Sequence, residues 1–270
     1  MRVVLIAAGL VGLALLAKSA SAACVRARTP PPSAWRIEAE DPAARVTFLG
    51  GDGVEIDTAR GLTLWYARRL AMPVRIVFEA KAVAAGGPND QVSDLNAFWM
   101  ATDPAVADGS VLAAGRHGRF EDYDALATYY VGIGGNRNTT VRMRRYVGQP
   151  GNRPLIGERA PARSRDLLYP NRWTRIVTTV RMRRYVGQPG NRPLIGERAP
   201  ARSRDLLYPN RWTRIVLTAD HEGISVTRDG RLLFAYRDAA PYRQGWFAFR
   251  TTQSHWRLRP ISITSGRNLE

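Results

Sequence analysis

The chain has 270 residues and a formal net charge of +17, and all but Lys18 and Lys81 of its 40 basic residues are arginine. It holds a single cysteine, Cys24, which leaves no internal disulfide to staple the fold. The basic balance calls for an anionic partner, yet zinc-finger spacing, an aromatic RNA-binding signature and a basic groove-reading helix are all absent, which argues against nucleic acid.

At the N-terminus, Arg2, the apolar run Val3–Leu16 and the small residues Ala20-Ser21-Ala22 have the form of a secretory signal peptide. The apolar run falls short of the roughly 20 residues that span a bilayer. Residues 1–23 are read as signal and residues 24–34, with Pro30-Pro31-Pro32, as a linker. Ser21-Ala22-Ala23-Cys24 resembles a lipobox without its usual leucine, so Cys24 is either an acylated first residue or an incidental thiol in the linker. The expectation is an exported protein, either periplasmic, lipid-anchored in the outer membrane, or secreted, and monomeric.

From residue 35 to 270 the pattern is that of one all-β domain. Runs rich in Val, Ile, Trp, Tyr and Phe alternate with Gly, Pro, Asn and Asp clusters. The expected strands are Trp35–Glu40, Val46–Leu49, Gly53–Ile56, Leu62–Tyr66, Val74–Ala82, Ser93–Thr102 and Ala127–Gly132. They continue with Thr140–Tyr146, Asn210–Thr218, Gly223–Arg228, Leu232–Arg237, Gly245–Thr252 and Trp256–Thr264. Asp229-Gly230 between alternating apolar residues marks a hairpin, because a type I′ turn needs positive φ at both central positions.

Residues 139–177 recur unchanged as residues 178–216. Each copy carries nine Arg against one Glu and one Asp, so much of the basicity is duplication. Two identical copies are not a solenoid, whose units diverge and number at least three. The centre of the copy, with Gln149–Pro154 and Ala160–Arg165, is rich in Pro, Gly and Arg and reads as loop. The surplus is expected to form a basic, protease-sensitive excursion between Val147 and Pro209, which costs little in closure entropy.

The order of a tryptophan strand (Asn210–Leu217), the Asp229-Gly230 hairpin, Asp238–Tyr242 and the Gly-started strand Gly245–Arg250 resembles the second half of concanavalin-like and laminin-G-like jelly rolls. A narrower likeness rests on Leu64–Tyr66, Pro73–Ala80, Gly87–Pro104, Phe120–Asp124, Tyr129–Thr140 and Phe249–His255. These resemble a family of exported bacterial jelly-roll domains of unknown function that accompany pectin- and rhamnogalacturonan-degrading enzymes. The resemblance implies a two-sheet antiparallel sandwich and carries no catalytic residues with it.

Alternation sorts the polar residues by face. In Ser93–Thr102, Asp94, Asn96, Phe98 and Met100 share one side, and Leu95, Ala97 and Trp99 the other. Phe247, Phe249, Gln253 and His255 are expected to share a face. Amides, carboxylates and guanidinium groups beside flat aromatics are what sugar hydroxyls and C–H faces require. The substrate-binding candidates are Asp94, Asn96, Trp99, Asn136, Asn138, Arg142, Arg250 and Gln253. A polysaccharide lyase acting on uronates needs proton-transfer groups, for which His255, Tyr130, Tyr129 and His117 are the right types. A glycoside hydrolase would draw on Glu121, Asp122, Asp124 and Asp94 as its carboxyl pair. The bland readings are loop hydrogen bonds for Asp94 and Asn96, a solvated strand position for His255 and structural glycines in Tyr129–Thr140. No cofactor is called for. A structural calcium on Asn89, Asp90 and Asp94 is left open, although such clusters are more often turns. The function expected is a lyase on an acidic, pectin-like polysaccharide, with a non-catalytic glycan-binding module and a structural envelope protein as alternatives. Mass spectrometry of material exported from a Gram-negative host is expected to show a new N-terminus at Ala23 or Cys24, and an intact Met1 would contradict the signal-peptide reading.

Overall fold

The structure is a computed structural model that describes residues 28–160, 194–200 and 202–266, with backbone alone for 194–200. The leader, Cys24, the start of the linker and residues 161–193 lie outside the described residues.

Every expected strand forms, most within two residues of its expected ends. In chain order they are β1 (Trp35–Ala39), β2 (Arg45–Phe48), β3 (Val54–Thr58), β4 (Leu62–Ala71) and β5 (Val74–Ala82). Then come β6 (Leu95–Thr102), β7 (Ala127–Gly134), β8 (Thr140–Val147), β9 (Leu155–Ala160) and β10 (Leu194–Pro200). β11 (Thr213–Ala219), β12 (Ile224–Arg228), β13 (Arg231–Tyr236), β14 (Gln244–Thr251) and β15 (Ser254–Ser265) complete the chain. They build two sheets, an eight-stranded one in the order β1-β4-β14-β6-β7-β8-β9-β10 and a seven-stranded one in the order β13-β12-β11-β5-β15-β3-β2. Every pairing is antiparallel except that of β9 with β10, which is parallel. Among the described residues no helix is long and apolar enough to cross a membrane.

Period-two alternation puts one face of each sheet into a shared core. Leu64, Ala97, Trp99, Tyr129, Val131, Met143, Phe247 and Phe249 come from the eight-stranded sheet. Ile56, Ile76, Phe78, Leu217, Val226 and Trp256 meet them from the other. A second, smaller cluster sits on the outside of the eight-stranded sheet, where Trp65, Phe98, Tyr130, Tyr146 and Trp246 are covered by Val111, Tyr123 and Leu126 of the β6–β7 connection.

Two face assignments need correction. The β6–β7 ladder breaks register between Trp99 and Thr102, with Met100 at φ 56°, so Met100 turns inward beside Trp99 and Ala101 takes the outer face. A bulge of this kind is invisible to simple alternation. Likewise, Phe247 and Phe249 point into the core, but the chain then crosses from β14 in one sheet to β15 in the other. Gln253 and His255 therefore do not continue the phenylalanine face.

The stretch expected to be an excursion contains two strands. Leu155–Ala160 pairs with β8, and Gly157 lies so close to Phe234 that a Cβ there would come within 2.4 Å of the ring. Arg159 donates to the Leu233 carbonyl at 3.1 Å, tying β9 to the neighbouring sheet. The same segment of the second copy, Leu194–Pro200, adds to the edge as β10. The first copy thus supplies β8 and β9, and the second supplies β10 and the start of β11. One copy contains all that β8, β9 and β11 need. Deleting Thr178–Val216 is therefore expected to give a soluble, folded protein whose melting midpoint moves by no more than about 2–4 °C, the effect of roughly 1 kcal/mol in a domain of this size. Loss of cooperative unfolding in the shortened chain would make β10 part of the core.

Candidate functional site

The β6–β7 connection covers only part of the outer face of the eight-stranded sheet. Its short 3-10 turn, Phe120–Tyr123, packs against Arg250 on β14, which is 2% exposed and lies 5.1 Å from both the Phe120 and Tyr123 rings. The Arg250 Nη1 donates to the Gly118 carbonyl at 2.8 Å and to Thr63 Oγ1 at 3.1 Å. Gly118, at φ 82°, crosses the backbone so closely that a Cβ would sit 2.5 Å from the Glu40 nitrogen.

Beside this covered half lies an open groove of about 420 Å³. Strand register explains its floor. Arg250, Asn96, Gly132, Arg142 and Glu158 form one cross-strand row over β14, β6, β7, β8 and β9. Phe98, Tyr130 and Arg144 form the next. Gly132 has no side chain, and a Cβ there would meet the Tyr130 hydroxyl at 2.6 Å and Asn96 Oδ1 at 2.8 Å. Those two polar atoms therefore converge over a gap in the sheet surface.

One end of the groove is formed by Phe120 and Arg153, the latter on the β8–β9 hairpin and ion-paired with Asp124. At the other end, Gly134 opens a turn in which Asn136, Arg137 and Asn138 have φ of 52°, 56° and 58°. The left-handed region suits asparagine, but an arginine there carries backbone strain of the sort that collects at functional sites. Arg137 is exposed and makes no ion pair among the described residues. Asp94 is also left-handed and accepts from Thr252 Oγ1 at 2.7 Å.

Several polar atoms at the groove have nothing to bond. Asn96 Oδ1, Thr140 Oγ1 and Arg153 Nε are buried without a partner. Each such atom costs about 1–3 kcal/mol if it stays dry. Burial holds the Tyr130 phenol far above its ordinary pKa, with Tyr146 and Asp94 adding to the shift and Arg250 and Arg144 opposing it. It is a neutral hydroxyl at any physiological pH. Burial likewise pushes Tyr146 up to about 12, against Arg153 and Arg144.

Of the residues singled out from sequence, Tyr130, Asp94, Asn96, Asn136 and Arg142 line this groove. The rest lie elsewhere. Trp99 and Tyr129 face the sandwich core, where the Tyr129 hydroxyl donates to Asp238 at 2.7 Å and accepts from the Tyr242 amide at 3.2 Å. Asn138 exchanges two hydrogen bonds with the Leu207 backbone, at 2.8 and 2.9 Å. Arg250 is sealed under the connection. His117 sits on that connection, its backbone amide donating to Asp122, and Gln253 donates to the Pro88 carbonyl. Sequence reasoning left out Arg144, Arg153, Phe120, Thr140 and Thr252. Arg144 was within reach, since it alternates with Arg142 along β8; Arg153 has no such signal.

His255 lies on β15, in the other sheet, and acts as a clamp. Its Nδ1 is 2.8 Å from Asp90 Oδ1 and its Nε2 is 2.6 Å from Glu55 Oε1. A neutral imidazole has one N–H, so donating to two carboxylates takes the imidazolium. Burial pulls the imidazole pKa down, but the bonds to Glu55 and Asp90 outweigh it and hold it above the ordinary value. Asp90 is lowered, first by the Ala85 and Gly87 amides and then by His255. Glu55 is lowered too, its bonds to His255 and Arg257 overcoming burial. The clamp fastens the β5–β6 loop, which also reaches Asp57 through Asn89 and runs on to Asp94 at the groove. Asn89, Asp90 and Asp94 thus bond three different partners, and among the described residues no group of three or more His, Cys, Asp or Glu is placed to hold a metal ion.

The chain belongs to the family described as a domain of unknown function (DUF6250), whose model matches residues 56–180 and 176–261, two stretches that meet at the junction between the copies. No curated protein matches the sequence. Among solved structures it is similar to a Bacillus subtilis protein of unknown function with a galectin-like fold, at 11% identity and TM-score 0.52, over 86% of this chain and 90% of that one. That likeness agrees with the sandwich read from the sequence. It is also similar to the carbohydrate binding module CBM66 from Bacillus subtilis, at 9% identity and TM-score 0.47, over 88% and 97% of the two chains. A third similar structure is the metal-free carbohydrate recognition domain of Emp46p, at 10% identity and TM-score 0.48, over 87% and 89%.

The clamp has a pH signature. A raised histidine contributes stability fully below its unfolded pKa of about 6.5 and loses it as pH rises through the folded value. The lowered Glu55 and Asp90 contribute above about 4 and lose it as pH falls through their folded values. The difference in melting midpoint between wild type and His255→Asn is therefore expected to be largest between about pH 5 and 6.5 and to shrink above neutrality. A difference that stays constant from mildly acidic to alkaline pH would show that the imidazole serves only as a neutral partner.

Proposed function

We propose that the groove over β6, β7 and β8 binds an acidic saccharide and that the protein acts by holding this ligand without cleaving it. The observation that carries the reading is the set of buried polar atoms on the groove without a partner among the described residues, Asn96 Oδ1 and Thr140 Oγ1, beside Arg137, which makes no ion pair there. Sugar hydroxyls donate and accept, so they can complete the two oxygens. The half-buried Phe120 ring offers apolar surface to a sugar C–H face. A carboxylate on the sugar finds Arg137 at one end of the groove and the Arg142 and Arg144 side chains along its floor. Pectin-like uronans have this combination of hydroxyls and carboxylates, in keeping with the enzymes that the resembling exported domains accompany. Such polymers are met outside the cell, which agrees with the signal-like leader.

Binding is preferred to elimination because, among the described residues, the tyrosine and histidines singled out as proton carriers do not serve this groove. Tyr130 is held neutral, and the imidazoles of His117 and His255 do not line the groove. Affinity electrophoresis through polygalacturonate tests the reading. Wild type is expected to be retarded and Asn96→Ala/Arg137→Ala retarded less, with salt weakening both. Incubation with the same polymer is expected to leave the ultraviolet absorbance flat. Growth of the band of a C=C conjugated to a carboxylate would restore the lyase, and equal retardation of variant and wild type would move the site.

A further inference from the structure

A broad hollow lies on the opposite sheet, away from the groove described above. Its origin is local. Along β15 the ladder with β5 breaks between Arg259 and Ser262, where Pro260 has no N–H to give. Beside the break, the turn Gly50–Asp52 leads into Gly53, at φ 141°, whose missing Cβ would fall 2.1 Å from the Leu258 carbonyl. The bowed strand, this turn and Trp212, which leads into β11, enclose a depression of about 890 Å³.

The chemistry of its lining is specific. The Trp212 ring is half-buried, with the Arg259 guanidinium 3.9 Å from its centre and the Lys81 ammonium at 5.0 Å. Arg257 is held by Glu55 at 3.1 Å, and Arg259 has Glu79 only at 3.9 Å, with both side chains well exposed. Arg28 and Lys81 make no ion pair among the described residues. Leu49, 42% exposed, and Pro260 add apolar rim. Arg257 and Arg259 stand opposite Glu55 and Glu79 across the strands, and Asp52 on the lining adds a third carboxylate. Here cations outnumber their nearby carboxylates and gather round an aromatic ring.

We infer that this depression is a second saccharide site, taking an acidic sugar whose ring lies on Trp212 and whose anionic group meets Arg259 and Arg28. The inference stands apart from the reading of the first groove, because no residue is shared between the two linings. Two sites on opposite sheets make the protein bivalent toward a polymer, so it joins chains as well as binding them.

Calorimetric titration of the full chain with trigalacturonate, and in parallel with a sulfated and a neutral trisaccharide, tests the site. Two equivalents are expected for wild type with an acidic ligand. One is expected to remain in Arg259→Glu and one in Asn96→Ala/Arg137→Ala. Preference for the carboxylated or the sulfated ligand identifies the anionic group. The indole N–H signal absent from Trp212→Phe is expected to shift on titration of wild type. Trp212→Phe is expected to keep binding, and Trp212→Ala to weaken that site roughly tenfold, about 1.4 kcal/mol. Mixtures with long polygalacturonate are expected to scatter light through cross-linking, and Arg259→Glu to abolish this while its melting midpoint stays near that of wild type. Identical titrations of Arg259→Glu and wild type, or an unmoved Trp212 signal, would overturn the second site. Survival of the Trp212 shift when Asn96→Ala/Arg137→Ala changes nothing would instead remove the first.

Discussion

The outer face of the eight-stranded sheet depends on one buried guanidinium. Arg250 lies under the β6–β7 connection with no carboxylate in ion-pair range among the described residues, and burial lowers its pKa, only partly countered by the neighbouring tyrosines and Glu121. An unpaired buried charge costs several kcal/mol. Here the cost is offset by the Gly118 carbonyl, the Thr63 hydroxyl and the rings of Phe120 and Tyr123, contacts worth roughly 0.5–2 kcal/mol apiece for the aromatic pairs. Glu38, also buried, adds a second tie by accepting from Trp65 and Tyr123, each at 2.9 Å. Because the connection is fastened here, it covers Trp65, Phe98 and Trp246 and stops at Phe120. The groove is the part of the sheet left uncovered, and its end wall is set by this attachment.

Much of the architecture was legible because alternation is a property of the strand itself. Val74–Ala82 reads as a strand and is one, to the residue. β9 was not legible. Its Leu-Ile-Gly-Glu-Arg-Ala run is short, contains a glycine and follows Pro154, so local propensity argues for loop. What makes it a strand is distant in sequence, namely pairing with β8, the contact of Gly157 with Phe234, and the Arg142–Glu158 ion pair at 2.8 Å.

The candidate site divides along the same line. Asp94 and Asn96 could be placed on a common face from spacing alone, and Arg142 with them once β7 and β8 are paired. Trp99 reads as a sugar-binding aromatic in sequence and Tyr129 as a proton carrier, but both face the core. His255 and Tyr130 are plausible proton carriers that the crossing from β14 to β15 assigns to different sheets. No pattern within a strand announces that crossing. Nor does any announce Arg153, which reaches the groove by a hairpin.

The division of labour between the copies bears on synthesis. Thr174–Val177 is identical to Thr213–Val216, the segment that opens β11 against β5. It leaves the ribosome a full repeat earlier, when β5 has already been made. The sequence alone therefore does not tell the two segments apart. Leu217-Thr218-Ala219 and the β12–β13 hairpin follow only the later copy, and β11 pairs with β12 along Ile215–Ala219. Identical sequence in two places leaves the downstream neighbours, Leu217-Thr218-Ala219 and β12, as the feature that distinguishes the copy in this central strand position.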